Sequence, residues 1–359
     1  YLPSLAKDFF GKSEKVLFAR EHNKDSDAIL AYLKLMPRHI GTLTSNIHEK
    51  IFLVDGEVAI IGGRNVSDND FRAKDLEVKL EGPVVNQVQE HFRRMFSFLI
   101  DFKIKRECLD EDAQLDCPER LGHLNFNQEN TAFFPIQPEF KNEGVKARIL
   151  TNEVLIQQNA KKFVGDELQN IKDDIIDTII HTKFTVMRAY NYFVIPTERY
   201  KNFLERNLKD STKDIKIISN SRVTAAVITD KGYLFSLPGM KNLVEKGLHV
   251  HQWLGLVAKN GDDLLYLHEK AIMFDDDHGI IGSHNFGLGS TLVSSEIAVE
   301  FYSKPIVKTL SDIFDSEYND RAITQIADLP MLEREFTEYK NMVNFLQKGF
   351  VKTMISELY

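Results

Sequence analysis

Apolar residues recur at helical spacing through residues 158–180, where Val164, Leu168, Ile171, Ile175 and Ile179 fall on one face. The run KFTVMRAYNYFVI at 183–195 reads instead as a strand, and Pro196 opens a second helix to about residue 208. DIKIISNS reads as another strand, 239–247 as a helix, and HVHQWLGL and LLYLHEKAIMF as strands. Such alternation predicts a sheet with helices on its faces. Residues 103–145 lack sustained periodicity and read as a linker or excursion. In the tail, Phe336, Tyr339, Val343, Leu346 and Phe350 form one face of an amphipathic helix. Docking on the core is its first reading and contact with a lipid surface the second.

An internal repeat organises these elements. Residues 48–65 read HEKIFLVDGEVAIIGGRN and residues 268–285 read HEKAIMFDDDHGIIGSHN. Both place Lys two, Asp seven, Gly fourteen and Asn seventeen residues after His. Asp75 and Glu296 follow at nearly equal distances, opening the strand-like stretches DLEVKLEGPVV and EIAVEFYSKPIV with Pro83 and Pro305 in like places. The chain is therefore read as a duplicated α/β unit: 1–102, the excursion 103–145, a second unit 146–325, and a C-terminal helix 326–359. Far fewer residues precede the first motif than the second. A clipped start, or a naturally degenerate first half, is the expectation.

Hydrophobic residues make up 43% and charged residues 27%, an ordinary globular balance. A net charge of -8 works against nucleic acid as a partner without excluding a local basic cleft. No apolar run approaches the roughly 20 residues that span a bilayer. Cys108 and Cys117 read first as reduced thiols, and as a loop disulfide if the protein is secreted.

The chemistry of the repeat follows from its residue types. In a strand His48 and Lys50 share a face, as do His268 and Lys270. Asp55-Gly56 suits a tight turn, which would fold Gly62, Gly63 and Asn65 back beside His48. At about 3.3 Å per residue, Asp55 then lies ~20 Å from His48. Asp55 and Asp275 are accordingly turn-formers, with Gly62, Gly63, Gly282 and Ser283 as structural companions. An imidazole, an ammonium and the amide of Asn65 or Asn285 remain in each copy, a set suited to an anionic phosphodiester. If the copies meet, one histidine can attack phosphorus and the other can serve the leaving alcohol. Asp75 and Glu296 are candidates to orient the rings, and neither a metal nor another cofactor is required. HEKIF and HEKAI lack the second histidine of a zinc H-E-x-x-H site, and GLGS at 287–290 lacks a P-loop lysine. His249 and His251 read as packing or surface residues and Trp253 as core.

These blocks resemble the H-x-K-x(4)-D motifs of the phospholipase D superfamily, and both match in full. GGRNVSDNDF, AKDLEVKLEGPVV, YNYFVIPTE and IISNS are similar to segments of bacterial cardiolipin synthase-like members. The resemblance implies two α/β units about a pseudo-twofold axis, mixed central sheets flanked by helices, and an active site at the seam. It implies His48 and His268 as nucleophile and acid, supported by Lys50, Lys270, Asn65 and Asn285. GLGS stands where such sequences usually show DPRS, which moves the expectation from synthase toward a phospholipase hydrolysing glycerophospholipids. A phosphatidyltransferase, a nuclease and a non-catalytic lipid-binding protein are the alternatives. The expected setting is a bacterial protein, secreted or peripheral to a membrane.

Overall fold

Residues that can be buried on both faces form the centre of the molecule. The computed structural model describes residues 46–65, 73–108, 144–153, 173–225, 230–255, 266–287, 290–291 and 294–346. Twelve strands are found among them: β1 (Asn46–Ile47), β2 (Ile51–Val54), β3 (Val58–Gly62), β4 (Glu77–Glu81), β5 (Lys146–Asn152), β6 (Val186–Asn191), β7 (Asp214–Asn220), β8 (His249–Trp253), β9 (Ala271–Phe274), β10 (His278–Gly282), β11 (Ser294–Tyr302) and β12 (Thr324–Ile326). Nine join in one mixed sheet ordered β1-β11-β10-β9-β6-β7-β8-β12, with β5 also paired to β11. Strands β9 and β10 are buried throughout, as is β11 up to Phe301, because both faces of the sheet are covered. The other sheet is β2-β3-β4, antiparallel. In β2 exposure alternates, with Phe52 and Val54 outward. The expected pair of mixed sheets is thus, among the described residues, one large mixed sheet and one small antiparallel one.

Eight helices accompany the strands among the described residues: α1 (Val84–Cys108), α2 (Asp174–His181), α3 (Glu198–Leu208), α4 (Arg222–Ala225), α5 (Asp230–Glu245), α6 (Lys304–Asn319), α7 (Leu329–Glu338) and α8 (Lys340–Leu346). Several differ from the sequence expectation. The helix expected over 158–180 is not continuous, since α2 starts at Asp174 after Asp173, whose backbone is extended and whose carboxylate caps α2 through the Ile175 and Ile176 N–H groups. The residues before it, 154–172, lie outside the described residues. Pro83 and Pro305 are not strand residues. Pro83 immediately precedes α1 and Pro305 stands in the first turn of α6, where a missing N–H costs nothing. Helix α1 continues through 103–108, and residues 109–143 of the expected excursion, with Cys117, are outside the described residues. Helix α5 begins nine residues before the expected 239 and accommodates Pro238. The tail forms two helices broken at Tyr339, and Val343 is buried in the core, as docking requires. Phe350 is not among the described residues.

Two apolar clusters sandwich the large sheet. One holds Ile175, Phe203, Leu204, Tyr233 and Leu237 from α2, α3 and α5. In the other, Ala59, Ile61, Val85 and Val88 pack with Ile281, Ile297, Val299 and Phe301. That cluster joins the surroundings of the first motif to those of the second, so both belong to one interior. Trp253 is fully buried there, while His249 is exposed and His251 stacks on Tyr318 at 3.5 Å. Among the described residues no helix is long and apolar enough to cross a membrane.

The repeated aspartates turn the two motif hairpins. Asp55 has φ 53° and Asp275 φ 50°, in the left-handed region that short polar side chains tolerate. Asp275 also accepts the N–H groups of Thr185 and Val186 through Oδ1, both at 2.8 Å, pinning the start of β6 to the β9–β10 turn. Asp275→Ala should therefore lower unfolding free energy by about 2–4 kcal/mol in urea titrations, through lost acceptors and a strained φ. Asp275→Asn, which retains an acceptor, should lose less than half of that.

Candidate active site

Each His-Glu-Lys triplet lies just ahead of its strand, β2 or β9, rather than inside it. The reason is that its backbone pairs elsewhere. His48 N donates to Ser295 O at 3.0 Å, and His268 N donates to Lys74 O at 2.8 Å. Short parallel pairings support both contacts, Ile47 with Ser295 and Lys74 with Leu267. Leu267 is further held by Asn220, whose amide accepts its N–H at 2.9 Å and donates to its carbonyl at 2.7 Å.

The residue after each backbone contact is an acid. Glu296 follows Ser295 and presents its two oxygens 3.0 and 3.1 Å from His48 Nδ1. Asp75 follows Lys74 and lies 2.7 Å from His268 Nδ1. The acids are thus exchanged: each ring is held by the carboxylate that belongs, in sequence, to the other repeat. Both carboxylates are fully buried, while the His48 ring is 25% exposed. Each lysine folds back on its own histidine, Lys50 Nζ donating to His48 O at 2.6 Å and Lys270 Nζ to His268 O. Lys50 and Lys270 both act electrostatically on His48 and on Asp75, so the cationic groups of the two triplets converge.

Small residues make this approach possible. A Cβ on Gly62 would come within 2.6 Å of Leu76 O, and one on Gly63 would strike the Asp75 carboxylate. Gly282 is closed in the same way by Ile297 and Ala298. Ser283, at the position corresponding to Gly63, donates its hydroxyl to Glu296 and accepts the Ile297 N–H at 3.1 Å. Asn285 lies beside this group, its N–H donating to Ser290 Oγ at 3.0 Å and its buried Oδ1 lacking a hydrogen-bond partner. Asn65 ends the other hairpin, half-buried.

Further residues belong to the site that sequence reasoning did not nominate. Ser290, in the stretch GLGS, donates to Glu296 at 2.5 Å. Its only signal was the serine shared by GLGS and the usual DPRS. Tyr192 meets the His268 ring edge-on at 5.5 Å. His284 Nδ1 accepts the Phe286 N–H at 2.8 Å, so its proton sits on Nε2, which donates to Asp173 at 2.9 Å.

Electrostatics separate the two acids. Burial alone would raise the Glu296 carboxyl, but the charge and hydrogen bond of His48, with His284 and Lys50 nearby, hold it at about 2. Burial dominates at Asp75 and raises it, against the opposing pull of Lys270, the Leu76 N–H, Arg64 and Lys50. Burial also lowers His48 below its ordinary value despite Glu296, with Lys50 and Lys270 adding to the effect. An ionised Glu296 accepts from Nδ1–H of a neutral His48, leaving the lone pair on Nε2.

Comparison with known proteins places these features. Residues 175–318 match the family described as "Cardiolipin synthase, PLD-like domain". Cardiolipin synthase 1 of Staphylococcus epidermidis is 23% identical over 282 residues, covering 75% of this chain and 46% of that protein. Cardiolipin synthase C of Escherichia coli is 24% identical over 306 residues, covering 78% and 63%. This chain therefore spans about half to two-thirds of the length of these relatives. The crystal structure of the phosphatidylserine synthase of Haemophilus influenzae shares the fold, with a TM-score of 0.54 at 15% identity over 88% of this chain and 70% of that one.

The low value at Glu296 has a pH consequence. Its contribution to stability is present above the ordinary value of 4.5 and is lost as pH falls through about 2. Glu296→Gln should flatten that acid limb in urea titrations between pH 5 and pH 2, a range taken from these two values. In NMR titrations it should also lower the His48 ring pKa further, since it removes the carboxylate that favours the imidazolium.

Proposed function

We propose that this chain, a member of the phospholipase D superfamily, transfers a phosphatidyl group between alcohols through a covalent phosphohistidine. The observation that carries the reading is the exchange of carboxylates between the two histidines. It joins two motifs 220 residues apart in sequence into one constellation of two imidazoles and two ammonium groups.

In this reading neutral His48 attacks phosphorus through Nε2 while Glu296 stabilises the cation that develops on the ring. His268, held by Asp75, donates a proton to the departing alkoxide, so the P–O bond breaks as the P–N bond forms. The now neutral His268 takes the proton of an incoming alcohol, whose oxygen displaces His48 and restores the starting state. Lys50 and Lys270, with the amides of Asn65 and Asn285, oppose the charge that gathers on the non-bridging oxygens. The environments that move Glu296 down and Asp75 up suit one ring kept for attack and another that handles protons.

The sequence alone favoured water as the acceptor. Transfer to a lipid alcohol is the better reading, because the named relatives are cardiolipin synthases and the fold is shared with a phosphatidylserine synthase. Hydrolysis, the second reading, is what the same intermediate gives when water resolves it. A glycerophospholipid at a membrane surface is the proposed substrate, with peripheral contact as the proposed mode of access.

Incubation with phosphatidylglycerol vesicles should give cardiolipin and glycerol, resolved by mass spectrometry. His48→Ala and His268→Ala should each reduce turnover by about 10³-fold or more while the protein remains folded. Phosphatidate as the sole product would replace transfer by hydrolysis, and full turnover in either variant would remove the phosphohistidine.

A further inference from the structure

The middle residue of each His-Glu-Lys triplet points away from the histidine and lysine, as alternation along an extended chain requires. A glutamate there would ordinarily be solvated, yet Glu49 and Glu269 are both buried, at 5% side-chain exposure each. Each meets a cation that also serves a second carboxylate. Glu269 pairs with Lys74, which lies 3.2 Å from Glu317 on α6 and 3.8 Å above the Tyr190 ring. Glu49 pairs with His91 on α1 at 2.8 Å, and the other ring nitrogen of His91 lies 3.0 Å from Glu153.

We propose that Glu49 and Glu269 are positioning residues, each anchored through a shared buried cation that fixes the register in which the neighbouring histidine meets its carboxylate. This rests on the reading of the two histidines given above. The geometry is most explicit around Lys74. Its side chain reaches Glu269, its carbonyl accepts His268 N–H, and the next residue, Asp75, holds the His268 ring. Lys74 and Asp75 therefore grip adjacent residues of one triplet from opposite faces. A slip of one residue would exchange those faces, setting the ammonium against His268 and the carboxylate against Glu269. Both mismatches bring like charges together or leave them unpaired in a dry interior, so the ion pair selects one register.

The two anchors are alike in charge pattern and different in chemistry. One cation is a lysine and the other a histidine, whose imidazole can lose its proton within the range where enzymes work. Glu49 from the triplet and Glu153, the residue after β5, face His91, and Arg94 of the same helix contacts Glu153. Burial would lower His91, but its hydrogen bonds and the charges of both glutamates push it up to about 9. The anchor is complete below the ordinary value of 6.5 and is lost as pH rises through about 9. A neutral ring then has a single N–H for two carboxylates. The first triplet is thus the one expected to loosen as His91 titrates.

The test follows ring titrations of His48 and His268 by NMR in the full chain, with Glu49→Gln, Glu269→Gln, His91→Gln, Lys74→Gln and Lys74→Arg, alongside kcat and KM on phosphatidylglycerol vesicles. Glu269→Gln and Lys74→Gln should shift the His268 titration by about half a pH unit or more and leave His48 in place. Glu49→Gln and His91→Gln should do the reverse, and His91→Gln should remove the alkaline titration near pH 9 that His91 produces. Lower kcat of about tenfold at nearly constant KM should accompany each loss, with Lys74→Arg restoring most of it. Unmoved ring titrations in folded variants would overturn the proposal, leaving the buried glutamates as packing alone. If Lys74→Gln does not fold, Glu269→Gln and Lys74→Arg decide the second anchor. The NMR readout needs no substrate, so a wild-type protein without turnover would discredit the proposed function and leave this inference to be judged separately.

Discussion

Everything at the candidate site depends on a reciprocal contact: the carboxylate downstream of each repeat orients the histidine of the other. Glu296 cannot hold His48, nor Asp75 hold His268, unless the two parts of the chain dock in one arrangement. The backbone bonds from His48 to Ser295 and from His268 to Lys74 enforce that arrangement one residue away from the acids. Packing supplies the driving force, since Ile61, Val85 and Val88 share an interior with Ile281, Ile297 and Val299.

The two halves of this exchange are similar in outline and unequal in detail. Glu296 accepts hydroxyl protons from Ser283 and Ser290 as well as the His48 ring, and its carboxyl is held low. Asp75 faces Gly63, where a hydroxyl has no room, and burial keeps its carboxyl high. One glycine-for-serine difference at corresponding positions thus accompanies opposite displacements of two acids. In the proposed transfer, inequality of this kind suits a division of attack and proton transfer between the two histidines.

Much of this was legible in the chain. The spacing of the repeat exposed the histidines, lysines and asparagines, and the Asp-Gly pair gave the turn that Asp55 adopts at φ 53°. Asp75 and Glu296 were visible as strand-opening acids, but their crossing over was not, because linear order favours the acid of the same repeat. Lys74 and His91 carry no motif; each becomes special only through partners that are remote in sequence. Helix α1 was missed because PVVNQVQEHF follows a strand-like run across only Gly82 and Pro83, and a proline ahead of a helix resembles one at a strand end. The tail helix was recognised by its period, but not its division at Tyr339 into two helices that both pack against α5.

The partnership between His48 and Glu296 spans 248 residues, and that distance has a consequence for synthesis. While the ribosome is still making the chain, the first imidazole emerges long before the acid that orients it. A nascent polypeptide stopped short of β11 holds both triplets and the acid that aims the second ring, but nothing that aims the first. The first ring therefore gains its orienting acid only once β11 has left the exit tunnel.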